Sequence, residues 1–407
     1  MKTKILDLYQ AFLAPFRGIN KEIWLLSFVS LINRSGAMVL CFLALYLTSY
    51  LHFSIEDSGF IMSFYGLGTI AGALLGGRWT DRYGYYRVQL FTMIASGVFL
   101  LATLWITSFW GLCAILFMTS LAADAFRPAN SIAIKTHSNN ENRTRAFSIL
   151  RVAVNLACSI ALILGGYFST IGWAWLFWAD SLTCFAAAVM IFTFIREKKS
   201  IQTTDNQLIK ENIKTEIKNT KSAYTDSNYW IFVTTTFLGA MVFMQIIWTV
   251  PTFFKEIYHW DGYMIGLVAA VNGITVMVIE LPIVFRIQDK KTPLHWVRWG
   301  FIVYGLSYMF FWLPTQHSFW WAICYMISIS LGEIFVMPFS ATFVTKRGDG
   351  PRQGEYMGMY GLAYSFSNVL APLVGTQMIA RFGFDALWLL LVGFSTIAWL
   401  LLDKIEE

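Results

Sequence analysis

Apolar residues recur along this chain in runs of about twenty, too uniformly hydrophobic to be the one-sided stripe of a surface helix. Twelve such runs are separated by short polar connections: 23–48, 57–77, 88–106, 110–134, 145–168, 173–195, 228–254, 262–286, 294–314, 318–345, 354–380 and 384–403. With almost no water to satisfy the backbone in hydrocarbon, each run is predicted to be a helix. The alternating ten-residue strands of a membrane barrel are absent from the pattern. The expected fold class is therefore all-α integral membrane, with twelve transmembrane helices.

The polar positions give this array a direction. Most of the 30 Lys and Arg fall in the two ends of the chain or in the even-numbered connections, such as Arg78–Arg87 and Lys198–Lys221. Only Lys255 and Arg381 fall in the odd-numbered ones. The positive-inside rule then places both termini in the cytoplasm, as an even number of spans also requires. The net charge of +6 is accordingly a property of the inner membrane face and implies no nucleic-acid partner. Residues 1–22 lack an apolar signal core and a cleavage site, and are expected to stay attached as a short interfacial helix. Cys41, Cys113, Cys158, Cys184 and Cys324 all fall in apolar runs without metal-ligand spacing, so they read as small packing residues.

One connection is long. Residues 197–227 are highly charged, and Ile209, Ile213 and Ile217 recur within them every four residues. The segment reads either as a helix on the membrane surface or as a solvated linker. The sequences on its two sides echo each other. "FYGLGTIAGALLGG" aligns with "AVNGITVMVIELPI" through Gly66 and Gly273, "ALILGGYF" with "APLVGTQM" through Gly165 and Gly375, and "IGWAWLFW" with "FGFDALWL" through Gly172 and Gly383. Three matches in order at nearly constant offset indicate two pseudo-symmetric six-helix halves. The predicted organisation is an N-terminal segment 1–22, a bundle 23–196, a linker 197–227, a bundle 228–403 and a tail 404–407. Parallel repeats of this kind characterise transporters whose substrate site lies between the halves near mid-membrane.

The connection between spans two and three reads "GGRWTDRYGYYR", Gly76 to Arg87. Its pattern Gly77-x-x-x-Asp81-Arg82-x-Gly84-x-x-Arg87 resembles the signature of the major facilitator superfamily at this turn. "INRSGAMVLCFLALYLT" in span one and "NRTRAFSILRVAVN" at span five resemble the drug-efflux-like, drug:proton antiporter branch. The resemblance implies a rocker-switch transporter in which this turn latches the halves on the cytoplasmic side. Gly77 would allow close helix approach, Gly84 the tight reversal, Asp81 a contact with a helix N-terminus, and Arg82 and Arg87 pairing with carboxylates or anionic lipid. The alternative is a basic loop obeying the positive-inside rule. The chain departs from the family pattern at Tyr85 and Tyr86, where basic residues are usual, and in span four, where "ADAFRPAN" replaces the usual arginine motif. In span five, Ala161-Leu162-x-x-Gly165-Gly166 lacks the proline of the antiporter motif.

Charges inside a bilayer cost at least ~2.5–3.5 kcal/mol unless paired or hydrated, so those retained are candidates for function. Asp124 and Arg127 lie three apart on span four and share a face, with Arg151 at similar depth on span five. They read either as a self-satisfied ion cluster or as a carboxylate that trades partners and binds a proton when unpaired. Glu333, near the middle of span ten, has no basic residue within a helical turn, while Arg286 is within reach of Glu280 on span eight. The readings for Glu333 are proton coupling or substrate contact, against a structural hydrogen bond to span seven, for example to Gln245. Arg34 follows Asn33 near the middle of span one, and either binds an anionic group or neutralises a carboxylate. Asn33, Arg34, Gln245, Asn272, Glu333 and Asn368 complete the expected cavity set, with Asp124, Glu333 and Glu280 as coupling carboxylates.

No Gly-x-x-x-x-Gly-Lys-Ser/Thr segment or soluble motor domain is present, so energy must come from a gradient. The histidines, His137 among them, have no metal spacing, and no cofactor or metal is expected. The expected function is a monomeric secondary transporter of the bacterial inner membrane, not an enzyme, exporting a small amphipathic molecule in exchange for protons. A proton-driven symporter importing an anionic or peptide-like solute onto Arg34 is the first alternative. A non-transporting membrane sensor is the second.

Overall fold

The computed structural model describes residues 20–138, 143–195, 222–313, 318–348 and 353–405. The interfacial helix expected before residue 20 and the isoleucine repeat of the linker lie outside these residues. Among the described residues, ten helical segments are long and apolar enough to cross a membrane. One of them is two spans, because Gly383 breaks the continuous helix Gln353–Leu402 with φ 81°. A further span is Pro293–Tyr308, prolonged by a 3-10 turn over Met309–Trp312. Twelve spans result. The largest exposed side chains include Phe285, Trp105, Phe91 and Phe192, which form the coat that faces lipid.

Local chemistry sets the helix ends. The Ser54 hydroxyl accepts the Asp57 N–H at 3.0 Å and starts span two, Ile55–Tyr83. That span stops at Gly84, whose φ of 83° reverses the chain into span three, Tyr85–Thr103. Asp226 and Asp261 accept the N–H of Tyr229 and Met264 at the starts of spans seven, Ser227–Trp248, and eight, Gly262–Ile287. Span four is Phe109–His137, span five Arg143–Ile171, span six Trp173–Phe194 and span ten Ser318–Arg347.

Two spans depart from the uniform helices expected. Span one is broken into Lys21–Ser35 and Met38–Leu45, followed by a π-turn over Tyr46–Tyr50. Ala37 leaves the helical region at ψ 40°. The freed Val39 N–H donates to the Asp180 carboxylate of span six at 3.3 Å, so a buried acid caps the second half-helix from outside. Span seven ends early at Thr249, and Val250–Glu256 forms a separate short helix with Pro251 in its first turn.

The two halves repeat a structural device at the end of the bundle that carries Gly84, termed here the basic end. In the first half, the Asn20 side chain donates to the His137 carbonyl at 2.9 Å, joining the start of span one to the end of span four. In the second, Asp226 at the start of span seven takes Arg347 at the end of span ten through contacts of 2.8 and 3.1 Å.

The halves meet along two seams of small residues. On one, spans five and eight touch backbone to backbone: Gly166 against Gly262, and Gly266 against the Leu162 carbonyl, with Gly273 meeting Ser159 farther along. On the other, spans two and eleven touch only in the part away from the basic end. A methyl added to Gly59 would lie 3.0 Å from the Pro372 carbonyl oxygen, and one added to Gly66 would lie 2.8 Å from the Val369 Cα. Toward the basic end this seam opens, and a methyl on Gly77, Gly358 or Gly361 would meet nothing within 4 Å.

Candidate functional site

Polar side chains gather in two clusters, one in each half, at similar levels of the repeat. In the first half, Asp124 is buried on span four, with Oδ1 2.6 Å from Arg127 Nε and 3.9 Å from Arg34 of span one. Asp124 Oδ1 has no aligned hydrogen bond, so the cluster is held by charge rather than by donor geometry. Tyr65 of span two lies within electrostatic range of Asp124, Arg34 and Arg127.

In the second half, Glu333 of span ten accepts a hydrogen bond from the Asn272 amide of span eight at 3.1 Å. The same amide donates to the Ser330 hydroxyl at 2.9 Å, which fixes its orientation. Among the described residues no cation pairs with Glu333. Tyr304 of span nine and Tyr364 of span eleven lie within its electrostatic range, and the Tyr360 hydroxyl donates to that of Tyr364 at 3.5 Å. The alignment of Gly66 with Gly273 sets Tyr65 and Asn272 at equivalent places. Asp124 precedes Pro128 by four residues, and Glu333 precedes Pro338 by five, so the two carboxylates also occupy matching levels of spans four and ten. One half thus carries a carboxylate surrounded by arginines, the other a carboxylate held by a neutral amide. Cys158 of span five is within electrostatic range of Arg34, Arg127 and Glu333, the charged groups of both clusters.

A third contact joins the halves directly. Arg151 of span five reaches the buried carboxylate of Glu280 on span eight at 2.5 Å. The expected partner of Glu280, Arg286, is exposed and pairs with nothing among the described residues. Arg151 is one helical step away from the seam, whereas Arg286 lies beyond Pro282 toward the helix end. Among the described residues this is the only ion pair that crosses between the halves.

Other expected site residues fall elsewhere. Gln245 is fully buried between spans seven and eleven, donating to the Ala371 carbonyl at 3.0 Å and accepting from Thr249 at 2.8 Å. It therefore neither lines the cavity nor reaches Glu333. Asn33 donates to the Cys184 sulfur at 3.6 Å, joining spans one and six. Asn368 donates to Thr69 at 3.3 Å across the seam of spans two and eleven. The close approach expected at Gly77 occurs at Gly76, where an added methyl would meet Ala125 of span four at 2.5 Å. Asp81, Arg82 and Arg87 are exposed and form no ion pair among the described residues. Sequence reasoning missed Tyr65, Tyr304, Tyr360 and Tyr364, and the capping role of Asp180. It also missed a buried chain in which Gln89 donates to Asn130 at 3.0 Å and Asn130 to Ser30 at 3.0 Å. The spacing of Tyr360 and Tyr364, one turn apart on span eleven, was the one signal available for the tyrosines.

Twelve spans in two repeated halves, enclosing polar and charged groups at mid-depth, define a membrane transporter. The Major Facilitator Superfamily pattern matches residues 23–354, and the chain belongs to that family. It is 24% identical over 396 residues to a Na(+), Li(+), K(+)/H(+) antiporter of Planococcus maritimus, covering 90% of this chain and 91% of that one. It is 22% identical over 331 residues to the class E tetracycline resistance protein of Escherichia coli, covering 78% and 77%. Among solved structures it matches the nucleoside transporter NupG with a TM-score of 0.77 at 14% identity, over 95% of this chain and 99% of that one. A POT family transporter in complex with 5-aminolevulinic acid matches with a TM-score of 0.75 at 15% identity, over 96% of each. The protein is thus a multi-pass membrane transporter, of a family whose members carry small-molecule substrates.

Proposed function

We propose that this protein is a proton-coupled exporter of the bacterial inner membrane, moving a small amphipathic molecule outward by rocker-switch alternating access. The observation that carries the reading is Glu333. It is a partly buried carboxylate within the membrane-spanning bundle, oriented by Asn272 and paired with no cation among the described residues. Such a group is stable only when protonated or when a positive ligand stands beside it. Proton and substrate therefore exclude each other at Glu333, which is the linkage that antiport requires.

In the cycle, the basic end faces the cytoplasm and both termini lie there, a reading supported by its excess of arginines and lysines. The open seam between spans two and eleven is the entry route. Substrate displaces the proton from Glu333, the halves rock, and the latch residues Gly77, Asp81, Arg82, Gly84 and Arg87 close the cytoplasmic side. Substrate leaves outward and a proton returns to Glu333. Asp124 trades Arg127 for Arg34 as span one moves against span four, and Arg151–Glu280 bridges the halves while the cytoplasmic side is open. The monomer contains every one of these groups. The importing alternative needed a free cation at Arg34, and Arg34 stands within 3.9 Å of Asp124. The antiporter and tetracycline-resistance relatives favour exchange and export.

The test uses the full chain reconstituted in vesicles that enclose a pH-sensitive dye. Na(+), K(+) and tetracycline, added singly under an imposed pH gradient, serve as probes. At least one is expected to drive proton movement of opposite sign to its own flux, and Glu333→Gln is expected to abolish that movement. Flux that ignores the gradient and survives Glu333→Gln would refute the coupling assignment.

A further inference from the structure

The turn between spans two and three has an outer side formed in part by residues of the proposed latch. There Trp79 and Tyr83 at the end of span two, with Arg87, Val88 and Phe91 at the start of span three, line a groove of about 280 Å³. The groove exists because Gly84, at φ 83°, reverses the chain and lets the two helix ends splay. Its floor is apolar and open to the membrane, with Phe91 67% exposed. Its rim is cationic: Arg87 lines it, and the Arg82 guanidinium lies 5.3 Å from the centroid of the Tyr83 ring that forms one wall. Among the described residues neither arginine has an ion pair.

We propose that this groove binds an anionic phospholipid of the leaflet at the basic end, with its phosphate on Arg87 and Arg82 and the first methylenes of one chain on Trp79, Val88 and Phe91. The two parts of the lining require the two parts of such a molecule. Arginine presents a planar fork of donors that matches phosphate oxygens. Free inorganic phosphate would leave the apolar floor unused, and a zwitterionic lipid brings no net charge to the rim. Tryptophan and tyrosine at the headgroup level are suited to this boundary, with an apolar body and a polar edge. The groove is smaller than the ~300–1,000 Å³ of a drug-sized ligand site, as suits a headgroup whose tails stay in the bilayer. Because Arg82 and Arg87 belong to the turn proposed as the latch, occupancy links the charge of the leaflet to closure of the cytoplasmic side. The binding itself depends on the groove alone and stands apart from the coupling role of Glu333.

The full chain in detergent, titrated with phosphatidylglycerol and read by native mass spectrometry, tests the site. One phosphatidylglycerol is expected to be retained saturably, with phosphatidylcholine retained far more weakly and inorganic phosphate failing to compete. Arg87→Gln is expected to weaken retention about fivefold, the factor corresponding to the ~1 kcal/mol of one basic residue at an anionic leaflet, and Trp79→Ala to weaken it by removing apolar wall. The control removes two exposed lysines from the equivalent connection of the other half, Lys290→Gln with Lys291→Gln. Equal loss in that control, equal retention of phosphatidylcholine, or competition by inorganic phosphate would each overturn the proposal. A photoreactive phosphatidylglycerol on the unaltered protein gives an independent reading: crosslinks concentrated at residues 79–91 support the site, and crosslinks spread over the basic connections of both halves refute it.

Discussion

The open seam between spans two and eleven makes a directional prediction about glycine. Where the spans touch, Gly59 faces Thr376 and Gly66 faces Val369, so seven residues up one helix match seven down the other. Eleven more in the same antiparallel register set Gly77 opposite Gly358, and eight more set Leu74 opposite Gly361. In the present conformation these positions are apart, with nothing within 4 Å of a methyl placed on Gly77 or Gly358. Under the proposed cycle, closing the basic end would bring them together as Gly66 and Val369 are together now. Gly358→Val therefore meets no neighbour at its Cβ here and overpacks the closed seam, at ~1–3 kcal/mol. That shifts the ratio of the two conformations about 5–150-fold toward the one described. Gly66→Ala acts in the opposite sense, because its methyl would press on the Asn368 carbonyl at 2.7 Å in this conformation and is relieved when the far side opens.

Spin labels paired across the basic end, and a second pair across the far end, read the two populations in reconstituted protein. Gly358→Val is expected to lengthen the basic-end distance distribution and Gly66→Ala to shorten it, both with slower transport. In addition, Gly77→Cys with Gly358→Cys is expected to crosslink only when the basic end closes. The reasoning fails if both substitutions shift the populations the same way, or if the cysteine pair never crosslinks while the carrier turns over.

Three further outcomes follow from the site. Arg151→Gln or Glu280→Gln is expected to slow transport, and the exchange Arg151→Glu with Glu280→Arg to restore part of it. Because Arg151 is half exposed, the stability loss should stay well below the ~3–5 kcal/mol of a fully buried pair, as a thermal-shift series would measure. Asp180→Asn keeps an acceptor for the Val39 N–H and is expected to leave the melting temperature nearly unchanged, whereas Asp180→Leu strands that donor and costs ~1–3 kcal/mol. Gln245→Leu is expected to destabilise the second half by a similar amount while leaving proton coupling intact in the vesicle assay. Lost coupling at unchanged stability would return Gln245 to the cavity.

The spans were legible because a bilayer leaves the backbone no choice but helix, so hydropathy alone located them to within a few residues. The break in span one was not, since it depends on Asp180 arriving from span six to take up the Val39 N–H. The partner of Glu280 was misread for the same reason: Arg286 is near in sequence, and Arg151 is near in space. Helices apolar on every side carry no periodic signal of which face meets a neighbour. Gly76 and Gly77 are therefore indistinguishable in sequence, although only Gly76 packs against Ala125. The same blindness assigned Gln245 to the cavity. What sequence did convey about the site was its carboxylates, because a charge kept inside a bilayer is costly and so singled out Asp124 and Glu333.

The repeat also explains the missing proline of span five. The aligned segments place Leu162 opposite Pro372, so the residue absent from the first half is present at the same position of the second. Span five with Leu162 keeps its full helical ladder and presents the Leu162 carbonyl to Gly266, giving spans five and eight a straight, close seam. Span eleven lacks one backbone donor at Pro372, and it bends most easily there, beside Gly59 and just beyond the place where its seam with span two stops opening. The two seams are thus chemically unequal. Under the proposed cycle, spans five and eight form the hinge and spans two and eleven the jaw, so a proline moved from position 372 to position 162 should stiffen the jaw and loosen the hinge. Such a double variant is expected to stay folded yet transport slowly. Wild-type rates from it would show that the asymmetry has no part in the motion.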